Sequence, residues 1–87
     1  MRINYIGMSD NFNYRIAEIT WKDYDEKENI LAERIADFMD KVHGYNMVIS
    51  CKGYASIEVE NFQQYKEIVS IYKEAKKMFI DCMKYGF

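Results

Sequence analysis

Hydrophobic residues in this chain keep two different periods, and the period changes three times along it. Residues 13–21 alternate: Ala17, Ile19 and Trp21 fall on one side, Tyr14, Ile16, Glu18 and Thr20 on the other. A period of two is the signature of a strand with one buried face. Leu31, Ile35, Phe38 and Val42 then recur at helical spacing, widened by Ala32 and Met39. Alternation returns over 46–60, where Met47, Ile49 and Cys51, then Ala55, Ile57 and Val59, mark the apolar side. Helical spacing returns in Tyr65, Ile68, Val69, Tyr72, Ala75, Phe79, Cys82 and Met83. The short β-prone stretch 2–8 precedes all of these, and Gly7 within it weakens the strand or marks a bulge. The expected order is therefore ββαββα.

Local signals place the boundaries. Ser9-Asp10-Asn11 reads as a turn between the first two strands. Asp25 is a good N-cap and Glu28 completes the spacing of a capping box. His43-Gly44 supplies a stop, with glycine for a left-handed residue and histidine near the negative end of the helix dipole. Asn61 and Gln64 repeat the capping-box spacing, and no breaker follows before Gly86, so the last helix runs to about Tyr85. Matching the apolar faces of the second hairpin pairs Cys51 with Ala55 across Lys52-Gly53-Tyr54. Glycine sits in the middle of that loop rather than last, so a bulge or another register stays open. The fold expected is α+β: residues 1–87 form one domain, a four-stranded antiparallel sheet with two helices on one face. The order of the two hairpins is not readable from the pattern.

Charge narrows the function classes. The net charge is −2, which lacks the basic surplus of a general nucleic-acid binder. Eight acids stand against Lys22, Lys27 and Arg34 in residues 18–40, whereas five lysines stand against Glu67, Glu74 and Asp81 in residues 61–87. No stretch reaches the ~18 apolar residues of a membrane span, and Met1–Tyr5 has no signal-peptide pattern, so a cytoplasmic location is expected. Cys51 and Cys82 fall on apolar faces and are expected to be buried free thiols. Two Cys and one His at wide spacing make a poor zinc set, so neither metal nor cofactor is expected. His43 is the sole imidazole, and no nucleophile elbow, P-loop or dinucleotide fingerprint is present. The chain is read as a non-enzyme.

What remains is surface. Glu26, Glu33, Asp37 and Asp40 fall within about 60° of one another around the first helix. Lys27, Arg34 and Lys41 run beside them as a parallel basic ridge. Tyr14 and Tyr54 are expected on the outer sheet face as aromatic anchors. With the four carboxylates they form the expected partner-binding set. Ile71, Met78 and Tyr85 make a separate ridge on the last helix, whose apolar arc spans about 220°, and are expected to serve an oligomer interface. Lys66, Lys73, Lys77 and Lys84 form a charged face in which Lys77 can pair with Asp81.

In size, single-domain build and acidic patch the chain resembles, without alignable residues, small phage or mobile-element inhibitors such as anti-CRISPR proteins. That resemblance implies occlusion of a basic nucleic-acid groove on a host protein. The expected function is a protein-binding module of this kind. The alternatives are a homodimer acting as a structural protein and a weak single-strand nucleic-acid binder using sheet aromatics.

Overall fold

The computed structural model describes residues 1–8 and 14–84, and of residues 7, 8 and 14 the backbone alone. Strands β1 (Arg2–Met8) and β2 (Tyr14–Thr20) precede helix α1 (Glu26–His43). Strands β3 (Val48–Cys51) and β4 (Tyr54–Glu58) precede helix α2 (Phe62–Lys84). The four strands form one antiparallel sheet in the order β1-β2-β4-β3. The α+β fold is thus the one the sequence pattern describes. The hairpin order, illegible in the sequence, is set by β2 pairing with β4 from Ile16–Glu58 to Thr20–Tyr54. The expected turn at Ser9–Asn11 and the last positions of the final helix lie outside the described residues. Gly7 makes no bulge: β1 and β2 pair in unbroken register through Gly7–Arg15.

Both helices are capped as their sequences dictate. The Asp25 carboxylate accepts from the Lys27 N–H at 3.0 Å and the Glu28 N–H at 3.3 Å. Glu28 does not reach back to its cap residue. It accepts from the Lys22 N–H at 2.8 Å and lies 3.3 Å from the Met1 ammonium. At the other end Gly44 takes φ 73°, and the N–H groups of Gly44 and Tyr45 close onto the carbonyls of Asp40 and Met39. These two bonds satisfy helix carbonyls that would otherwise be orphaned. At the start of α2 Asn61 accepts from the Gln64 N–H at 2.8 Å, while the Gln64 side chain reaches past the cap and accepts from the Glu60 N–H at 2.7 Å.

One core joins the layers. Ala17, Ile19 and Ala55 on the sheet meet Leu31, Ile35, Ala36 and Met39 of α1 and Ile68, Tyr72 and Ala75 of α2, with Met47 and Val59 closing the margins. Burial on α1 is rotated from the expected stripe. Its buried arc of Leu31, Ala32, Ile35, Ala36 and Met39 is centred about 60° round the axis from Leu31–Phe38. The two alanines let the helix approach closely, so Phe38 is left half-buried and Val42 61% exposed. Ile16, expected on the wet face of β2, is buried at 7% exposure although it stands outside the main core.

The second hairpin corrects the expected register. Ile49 faces Ala55 and Cys51 faces Tyr54, with an irregularity between Ile49 and Cys51. The loop is therefore Lys52-Gly53, with Gly53 at φ 89°. Only glycine enters that region without strain, so turn chemistry overrides the matching of apolar faces and a bulge absorbs the mismatch. As a result Cys51 is exposed rather than buried, while Cys82 is half-buried. The turn also docks on the segment that leads from β2 into α1: the Trp21 N–H donates to the Gly53 carbonyl at 3.1 Å. Trp21 in turn donates its indole N–H to Asn29 Oδ1 at 2.7 Å, and the Asn29 amide donates to the Asp23 carbonyl at 3.0 Å.

Candidate functional site

The outer seam between the helices gathers several of the residues singled out above. α1 and α2 pack against each other, and on the side away from the sheet they leave a depression of about 390 Å³. Phe38, Val42, Phe79 and Cys82 supply its apolar lining, and Arg34, Asp37 and Lys41 its charged rim. Phe38 and Phe79 meet edge-on at 6.0 Å, and the His43 ring packs on Phe38 at 5.5 Å. The floor is thus held by aromatic contacts.

Glu26, Glu33, Asp37 and Asp40 are all exposed, as their common helix face requires. Asp37 pairs with Lys41 at 3.2 Å. That i,i+4 contact offsets the repulsion Asp37 feels from Glu33. The side chains of Glu26, Glu33 and Asp40 make no hydrogen bond or ion pair among the described residues, so their charge is directed outward. Around the α1 axis, Arg34 and Lys41 stand between the acidic ridge and Phe38–Val42. Acid, base and apolar strips therefore follow one another across this surface.

The structure separates Tyr54 from those acids. Tyr54 opens β4 opposite Thr20, on the sheet face turned away from the helices, and is half-buried. Tyr14 opens β2 opposite Met8, and its side chain lies outside the described residues. Tyr54 therefore does not share one continuous surface with the four carboxylates. The expected oligomer ridge also divides. Ile71 is half-buried against the core, Met78 is 40% exposed, and Tyr85 lies outside the described residues. Phe38 and Phe79 pack against the core, as their spacing requires, and also line the seam, whereas Val42 is left outside the core. The sequence signal for Val42 is the pair of alanines, Ala32 and Ala36, which shifts the buried arc of α1.

A second feature lies where α2 passes β1. Met1, Arg2 and Ile3 and the α2 residues Tyr72, Lys73, Lys76, Lys77, Ile80 and Asp81 line a depression of about 440 Å³. Lys76 Nζ reaches the Met1 carbonyl at 3.5 Å and sits 5.7 Å from the centre of the Tyr72 ring. Tyr72 is 4% exposed, and its hydroxyl has no hydrogen-bond partner among the described residues. Burial, and secondarily the Glu28 carboxylate, push that phenol up to about 12. Burial and the hydrogen bond to Glu67 at 3.2 Å also raise the Tyr45 phenol. Lys77 and Asp81, whose spacing allows a pair, make no ion pair. Among the described residues no helix is long and apolar enough to cross a membrane, and no group of three His, Cys, Asp or Glu side chains could hold a metal ion. No family model, curated protein or solved structure matches the chain.

Proposed function

We propose that the chain is a non-enzymatic protein-binding module that docks through the outer seam of its two helices. One observation carries this reading: Asp37 of the acidic ridge lines the same depression as Val42 and the Phe38–Phe79 pair. Apolar anchors beside a charged rim are the general anatomy of protein interfaces. The partner that fits would bring an apolar projection to the seam and cations to Glu33, Asp37 and Asp40. A nucleic-acid-handling protein with a basic groove would supply those cations, and the mechanism would then be occlusion of that groove, as in anti-CRISPR-like inhibitors. The unpaired carboxylates of Glu26, Glu33 and Asp40 support this extension, because steering by outward charge is strongest where no internal cation neutralises it.

The test is comparative capture. Wild-type protein, Asp37→Lys and Val42→Asp would be immobilised and exposed to lysate of the native host, and the retained proteins quantified by mass spectrometry. The reading expects one partner to be held by wild type and lost by both variants, while Tyr54→Ala retains it. Equal retention by all four proteins overturns it. Met78, exposed beside the seam, favours the homodimer alternative; light scattering near twice 10.4 kDa, reduced to one copy by Met78→Glu, would identify a second chain as the partner.

A further inference from the structure

β1 is an edge strand: it pairs with β2 on one side and with nothing on the other among the described residues. A seven-residue edge spans about 23 Å and offers unpaired main-chain donors and acceptors along its length. α2 runs over this strand. Tyr5 of β1 touches the rings of Phe62 and Tyr65 at 5.4 and 5.0 Å, and Ile3 shares the depression with Tyr72 and Ile80. Measured round the α2 axis from Phe79, which meets α1, Lys73, Lys77 and Ile80 stand about 100–160° further on, and all three line the depression with Arg2 and Ile3.

We propose that the free edge of β1 accepts an extended acidic peptide of a partner protein as a fifth strand, with its carboxylates held by Lys73 and Lys77. Three observations converge on this occupant. First, Lys73 and Lys77 are exposed and make no ion pair, so their charge is available to a ligand. Second, the spacings agree: four helical residues rise about 6 Å, and alternate residues of a strand lie about 6.7 Å apart. Successive carboxylates on the helix side of an added strand would therefore meet Lys73 and Lys77 in turn, with their methylene stems over Ile3 and Ile80. The intervening residues would lie on the open sheet face beside Ile6. Third, the rim is cationic, with Arg2, Lys73, Lys76 and Lys77 against Asp81 alone. A second copy pairing edge to edge would bring two such rims together and repel. Main-chain bonds would supply affinity and the lysines specificity, the division of labour in strand addition. This surface lies on the opposite flank of α2 from the seam, so it is a second site and does not depend on the first.

The test uses a labelled nine-residue peptide alternating glutamate with valine, read by fluorescence anisotropy at low salt. Wild-type protein is expected to bind it and to gain amide-exchange protection across Arg2–Met8. Lys73→Glu/Lys77→Glu should weaken binding at least tenfold, and Asp37→Lys in the helix seam should leave it unchanged. A peptide with lysine for glutamate should not bind. A peptide N-methylated at alternate amides should lose binding although its charge is intact. No binding by wild type, equal binding of the N-methylated peptide, or protection appearing on α1 instead would overturn the proposal. Protection of β1 without peptide, together with a doubled mass, would assign the edge to a second copy and overturn it equally.

Discussion

Replacing Tyr72 with phenylalanine should stabilise the protein, and the gain should grow in alkali. The hydroxyl is buried without a hydrogen-bond partner among the described residues, so folding strips it of water and gives nothing back. Such a group costs about 1–3 kcal/mol. Tyr72→Phe is therefore expected to gain about 1 kcal/mol at pH 8, where the phenol is neutral in both states. The alkaline increment follows from linkage. The unfolded phenol titrates at its ordinary value of 10.0, and the folded one is pushed up to about 12. Between these values the unfolded chain has lost the proton and the folded protein still holds it. Stability is therefore fully present below pH 10 and falls as pH rises toward 12, by about 1.4 kcal/mol per pH unit. At pH 11 the advantage of the phenylalanine variant should exceed its value at pH 8 by roughly 1 kcal/mol. Urea unfolding followed by Trp21 fluorescence at the two pH values measures both numbers. A gap that stays constant between pH 8 and 11, or a phenylalanine variant less stable at pH 8, would show that the hydroxyl has a partner and refute the reasoning.

Other expectations concern the joints of the fold. In Gly53→Ala the new methyl would stand 3.1 Å from the Trp21 carbonyl oxygen and from Asp23 Cβ, at φ 89°. A loss of about 1–3 kcal/mol in chemical denaturation is expected. Asn29→Leu removes the acceptor of the Trp21 indole and the donor to Asp23, and should lower the melting temperature by roughly 10 °C through a loss of about 2 kcal/mol. Asp25→Ala leaves two α1 N–H groups without their cap and should cost about 1 kcal/mol, measured in the same melts. Cys51, being exposed, should react with a thiol reagent in the native protein well before Cys82, and simultaneous reaction of both would contradict their placement.

Much of this architecture was legible because its signals are local. Caps at Asp25 and Asn61 and the stop at Gly44 need only their immediate neighbours, and all three act as their residue types require. The order of the hairpins was not legible, because β2 and β4 each carry alternation that would suit either edge or centre. Only their mutual pairing, between residues 34 to 42 positions apart, decides it. The second hairpin failed for a different reason. Matching apolar faces put Cys51 opposite Ala55, but a glycine confined to positive φ fixed a two-residue loop and moved Cys51 outward. The acidic ridge was readable because helical spacing alone fixes which residues share a face. Its neighbourhood was not. Weighting large apolar residues pointed the stripe at Phe38 and Val42, whereas small Ala32 and Ala36 set the depth of approach and left those side chains at the seam.

The pairing of β2 with β4 has a consequence for how the molecule is made. Neither half of the chain can complete its own sheet. When β2 leaves the ribosome, its inner edge, with Ala17 and Ile19 behind it, must wait for residues 54–58. At ~5–20 residues per second that delay is roughly two to seven seconds, far longer than a hairpin takes to form. During that interval a nascent chain ending near Gly44 would expose a strand as ready to join a stranger as its own sequel. Separately expressed halves, cut at that glycine and mixed, should for the same reason find each other.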